Sequence, residues 1–161
     1  MEITAALRPM LGSLAKADGV FGCVGRADAG TVEEHVYDLV LEAQEAWASH
    51  AVAGAQGPTS PAEVGEVLKK TTEEQAMALM TCLSAEDLVF PGRMRRDPEH
   101  ARRAVERVVR LLGWGAVWWT NIEPFDGGGH AWSPVSRHTF DGVVAGVGNG
   151  AVVALLQVGD D

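Results

Sequence analysis

Apolar residues recur every three or four positions over the first two thirds of the chain and gather into strand-like runs after Gly113. A helix shows one face every 3.6 residues and a strand every two, so this change of period predicts helices followed by a sheet. Residues 3–17 read as a helix on Ile3, Leu7, Met10, Leu11 and Leu14, with Pro9 weakening it. The glycine-rich stretch 18–30 reads as a loop or a short irregular strand. A second helix opens at Thr31, with Glu34 placed for a capping box. Val32, Val36, Leu39, Val40, Ala43 and Trp47 form its apolar stripe, and turn chemistry predicts its end near Ala53-Gly54. A third helix opens at Ser60-Pro61, and Thr72 with Gln75 signals a fresh start that runs to Leu83. Ser84 with Asp87 suggests a short extra turn, and Val89 to Gly92 a loop. The last helix is capped by Asp97 and ends at Gly113.

Beyond Gly113, Ala116–Ile122, Thr139–Val147 and Ala151–Val158 read as strands. Gly148-Asn149-Gly150 joins the last two as a tight hairpin, because Asn-Gly supplies the positive φ that such turns require. The expected fold is a single α+β domain over residues 1–161. Four to five helices in the N-terminal two thirds pack as one layer on a small C-terminal antiparallel sheet of about three strands. Val152–Leu156 is almost continuously apolar, so at a sheet edge it would be an open pairing surface and a route to a homo-oligomer.

Composition sharpens this. At 161 residues and 47% hydrophobic, the chain is long enough to bury a core without disulfides or metal. Its net charge of −9 argues against nucleic acid as a partner. No run reaches the length of a membrane span, and the start lacks a secretory pattern. Cys23 and Cys82 fit no framework or zinc spacing and read as free thiols, which points to the cytoplasm. The charge is uneven. Between Asp28 and Glu45 lie six acids and no Lys or Arg, whereas Arg93–Arg110 carries seven arginines against three acids. These stretches are either helix faces that are solvated or bridged to each other, or docking surfaces of opposite sign.

No catalytic signature is present: there is no Gly-x-Ser-x-Gly elbow, and Cys23 has no assignable base. The segment from Glu123 to Asp141 is the densest in chemistry, with three consecutive glycines. It reads as a packed surface loop, as a recognition loop anchored by Trp132 and Arg137, or as an acid/base or metal site of Asp126, His130, His138 and Asp141. No spacing there matches a compact metal motif, so neither a metal nor a cofactor is expected. Trp118 and Trp119 point to opposite faces of one strand, and a Trp-lined cleft under the glycine-rich segment would suit a small ligand.

In size, acidity and lack of catalytic signature the chain resembles small acidic bacterial partner proteins, such as immunity proteins that neutralise a toxin. The expectation is a non-enzymatic cytoplasmic interaction protein. It would bind a more basic protein through Glu34, Asp38, Glu42 and Glu45, with Trp132 and Arg137 contributing. The alternative is a small-molecule binder or enzyme that uses the 123–141 loop.

Overall fold

The computed structural model describes residues 3–48, 53–90, 92–124 and 130–160. The chain runs through helix α1 (Ile3–Leu14), strand β1 (Val20–Arg26), α2 (Val32–Ala46), α3 (Pro61–Val67), β2 (Lys69–Thr71), α4 (Glu73–Ala85) and α5 (Pro98–Leu112), then β3 (Val117–Thr120), β4 (Ile122–Pro124), β5 (His130–Trp132), β6 (Phe140–Gly148) and β7 (Ala151–Gly159). The class is α+β, as the change of period implies. The start signals hold because they are local chemistry. Thr31 and Glu34 form a reciprocal capping box, and Ser60, Thr72 and Asp97 each accept a backbone N–H at their helix starts.

The main sheet has five antiparallel strands in the order β1-β7-β6-β3-β2, and β4 pairs with β5 in a separate ribbon. The C-terminal strands β3, β6 and β7 form its centre, and the N-terminal strands β1 and β2 complete its edges. β7 therefore lies between β1 and β6. It is no free edge, and the homo-oligomer expected through it loses its basis. β6 and β7 meet through Asn149-Gly150 at φ 48° and 79°, the left-handed pair a two-residue hairpin needs.

Helices cover both faces of the sheet rather than one. On one side α1, α4 and α5 pack on Trp118, Val144, Val153 and Leu155. On the other, α2 and α3 pack on Val143, Ala145, Ala154, Leu156 and Val158. Alternate residues of β7 thus enter two different cores, which is why its sequence is apolar throughout. Trp118 is buried in the first core, its ring against Gly146. Trp119 is half-buried against the second, a core to which α2, α3 and Val135 of the long loop all contribute.

Several boundaries differ from the sequence pattern: α1 stops at Leu14 rather than at residue 17, and a short strand, Lys69–Thr71, stands where two helices were expected to meet. α2 ends at Ala46, not near Gly54, because the Arg137 guanidinium takes the Gln44 carbonyl at 2.7 Å and Trp47 turns over Gly19. The strand read at Ala116–Ile122 breaks at Asn121. There the side chain takes over the pairing, accepting from Val143 N at 2.9 Å and donating to Ser133 O and Asp141.

Candidate functional site

The 123–141 segment is organised around a buried carboxylate. Asp141, 2% exposed, sits in β6 and accepts four donors: Asn121 Nδ2 at 2.8 Å, Val135 N at 3.2 Å, and Ser136 N and Oγ at 3.0 and 2.9 Å. Burial pushes its pKa up, against the pull of those bonds. The carboxylate ties Val135 and Ser136 to the sheet, while Asn121 holds Ser133. His138 takes a different carboxylate. Its ring Nδ1 lies 2.7 Å from Asp160 Oδ2, and Asp160 also accepts from Thr139 N and Oγ at 2.8 and 3.0 Å. Burial alone would raise the Asp160 pKa, but the bonds from Thr139 and His138 outweigh it and hold the group below the usual carboxylate range. The other ring nitrogen of His138 is buried and makes no hydrogen bond among the described residues.

Of the acid/base constellation, the structure places Asp141 and His138, and it does not join their side chains directly. Asp141 and His138 have separate carboxylate or donor partners, and among the described residues Ser136 Oγ links them, accepting from His138 N at 3.1 Å and donating to Asp141. Asp126 and the side chain of His130 lie outside the described residues. A general base must reach a substrate proton, and His138 and Asp141 are almost wholly buried, at 4% and 2% exposure. The thiols are equally unsuited to attack. Burial, then the nearby carboxylates Glu42 and Asp38, push Cys23 up to about 11, and burial with Glu86 does the same for Cys82. Among the described residues no group of three His, Cys, Asp or Glu side chains stands together to hold a metal ion.

The two expected interface anchors in this segment separate. The Arg137 guanidinium is occupied at the end of α2, and its backbone N–H donates to Gln44 Oε1 at 3.0 Å. It pins the loop to the acidic helix instead of presenting a free cation. Trp132 stays 40% exposed, its ring tilted against Phe140 at a centroid distance of 5.7 Å.

The charged helices lie on opposite sides of the sheet, so they do not neutralise each other. On α2, Glu34, Asp38, Glu42 and Glu45 are all exposed, and among the described residues none has an ion-pair partner. Glu34 accepts from Thr31 N in the capping box, whereas Asp38, Glu42 and Glu45 make no side-chain hydrogen bond or ion pair among the described residues. Leu41, 40% exposed, lies among them. The arginines are used differently. Arg102 pairs with Glu99 at 2.8 Å and reaches Glu106 at 3.9 Å. Arg96 donates to the Ser13 carbonyl and to Ser84 Oγ, locking the start of α5 onto α1 and α4.

The sequence pattern gave no sign of a cleft of about 480 Å³ at the C-terminal end of β7. Its wall is the 87–95 loop, whose turn is headed by Asp87 accepting from Val89 N at 2.9 Å. Gln157 fixes the loop's base, accepting from Leu88 N and donating to the carbonyls of Leu83 and Glu86. Asp18, Trp47, Phe90, Arg93 and Met94 line the opening. A glutamine inside an apolar strand was the one available hint, since buried amides need partners.

Comparison with family models, curated proteins and solved structures finds no match to this chain. No helix among the described residues is long and apolar enough to cross a membrane.

Proposed function

We propose that this protein is a small binding partner for a more basic protein, in the manner of an immunity protein or inhibitor, and that the outer face of α2 is its docking surface. The observation that carries this is the row Asp38, Glu42 and Glu45, exposed and without cationic partners among the described residues. Uncompensated like charge on one helix disfavours the free fold slightly and attracts an oppositely charged surface. Trp132 and Leu41 supply exposed apolar area of the kind that anchors an interface. The two free, partly buried thiols fit a reducing compartment, the cytoplasm.

The test is a parallel capture from native lysate with three baits: wild type, Asp38→Lys/Glu42→Lys, and Arg103→Glu/Arg107→Glu on the far side of the sheet. The expected result is one stoichiometric basic protein that the wild type and the arginine variant retain and the α2 variant loses. Equal recovery by all three baits refutes the assignment of the surface.

A second reading rests on the cleft beside β7, which has the size of a small-ligand site. Under it, a small molecule would raise the melting temperature of wild type, and Trp47→Ala or Arg93→Ala would abolish that rise.

A further inference from the structure

The two edges of the sheet are unlike. β2 is three residues long and carries Lys69 and Lys70, a common way to discourage pairing. β1 is seven residues long, and its only charge is Arg26 at its end. The cross-strand bonds fix which of its groups face outward. Val158 N donates to Gly19 O and Ala27 N to Gly150 O, both at 2.9 Å, so odd-numbered residues from 19 to 27 turn their polar groups toward β7. The even-numbered ones turn away. Val20 N is taken by Ala17 O, which leaves the backbone of Gly22, Val24 and Arg26 with no strand beside it among the described residues.

The acidic row overlooks this edge. α2 crosses β1 antiparallel: the His35 ring lies over Gly25, and Trp47 over Gly19. Asp38 and Glu42 lie between those two positions on the helix, and their charge adds to burial in raising the pKa of the Cys23 thiol. Carboxylates four residues apart on a helix are separated by about 6 Å along its axis. Side chains on one face of a strand repeat at about 6.8 Å. A strand laid beside β1 would thus bring alternate side chains level with Asp38 and Glu42.

We propose that the open edge of β1 receives an extended basic segment of the partner, which adds a sixth strand and sets alternate lysines or arginines against Asp38 and Glu42. Backbone pairing supplies the attachment and the acidic row selects the side chains. This rests on the acidic-face reading above and specifies its mode. A second copy of the chain fits the edge poorly, because antiparallel β1–β1 pairing would place two α2 helices, both acidic, side by side.

The test uses three capped eight-residue probes: alternating Lys-Val, alternating Glu-Val, and Lys-Val with every central amide N-methylated. Binding is followed by titration, and amide hydrogen exchange is read at Gly22, Val24 and Arg26. The expected result is binding of Lys-Val alone, slowed exchange at those three amides, and affinity about tenfold weaker in Asp38→Asn/Glu42→Gln. If the N-methylated probe binds equally well and the amides stay unprotected, strand addition is overturned while the acidic-face reading stands. Binding that ignores the α2 variant overturns both. No binding of Lys-Val overturns the strand mode, and capture with the charge-reversed baits then decides the acidic face separately. A concentration-dependent dimer with these amides already protected makes a second copy the occupant and overturns the proposal.

Discussion

The two helical layers solve the same packing problem and use charge in opposite ways. In the α1–α4–α5 layer, charge is partly built into the fold: Arg96 bonds to both α1 and α4, and Arg102 is bracketed by Glu99 and Glu106. In the α2–α3 layer the apolar stripe of α2 holds the helix, and Asp38, Glu42 and Glu45 bond to nothing among the described residues. Asp141 is buried with four donors on its carboxylate, whereas Asp38, Glu42 and Glu45 are exposed with no hydrogen bond or ion pair among the described residues.

That contrast is easiest to break at its buried end. Asp141→Ala removes the acceptor for four donors and is expected to cost about 3–5 kcal/mol, because those donors stay buried without a partner. Denaturant unfolding measures it; a loss under about 1 kcal/mol would mean that the loop is held some other way. Asp160→Asn weakens the latch on His138 and Thr139 and is expected to cost about 1–2 kcal/mol at neutral pH. The folded pKa of Asp160 is depressed, so its contribution is present above the ordinary carboxylate range and is lost as pH falls through the folded value. The stability gap between wild type and Asp160→Asn should therefore be constant near neutrality and close in acid. A gap that widens in acid contradicts the latch.

How much of this was legible follows from how local each signal is. The caps at Thr31, Ser60 and Asp97 and the Asn149-Gly150 turn are decided within four residues, and the chain displays them openly. β1 was obscured by Gly22 and Gly25, which carry no strand preference and lie against Leu11 and His35. The second helical layer was hidden because apolar stripes do not say which side of a sheet they meet. The unbroken apolar run of β7 was a clue to burial on both faces, and it could equally be read as an open edge. At the candidate site, the acids of α2 stood out as a run of like charge. The partnership of His138 with Asp160 spans 22 positions and depends on where β7 ends. Arg137 showed as an interface anchor by residue type, yet its guanidinium is fixed by a helix carbonyl that only the fold brings near.

Smaller effects sharpen the same comparison. Thr31→Ala removes the capping box of α2 and should cost about 1 kcal/mol by thermal or denaturant unfolding. No change would show that tertiary packing alone starts the helix. Smallest of all, Asp38→Asn/Glu42→Gln should shift stability by no more than about 0.5 kcal/mol, because neither side chain has a partner to lose. A clear destabilisation would place these acids in the fold after all.

The most direct test of the account is the association rate with the captured basic partner at low and at high salt, compared for wild type, Asp38→Lys/Glu42→Lys and Arg103→Glu/Arg107→Glu. The account predicts fast, strongly salt-dependent association for wild type and for the arginine variant, and slow association with a flattened salt dependence for the α2 variant. Equal rates and equal salt dependence in all three proteins would contradict it.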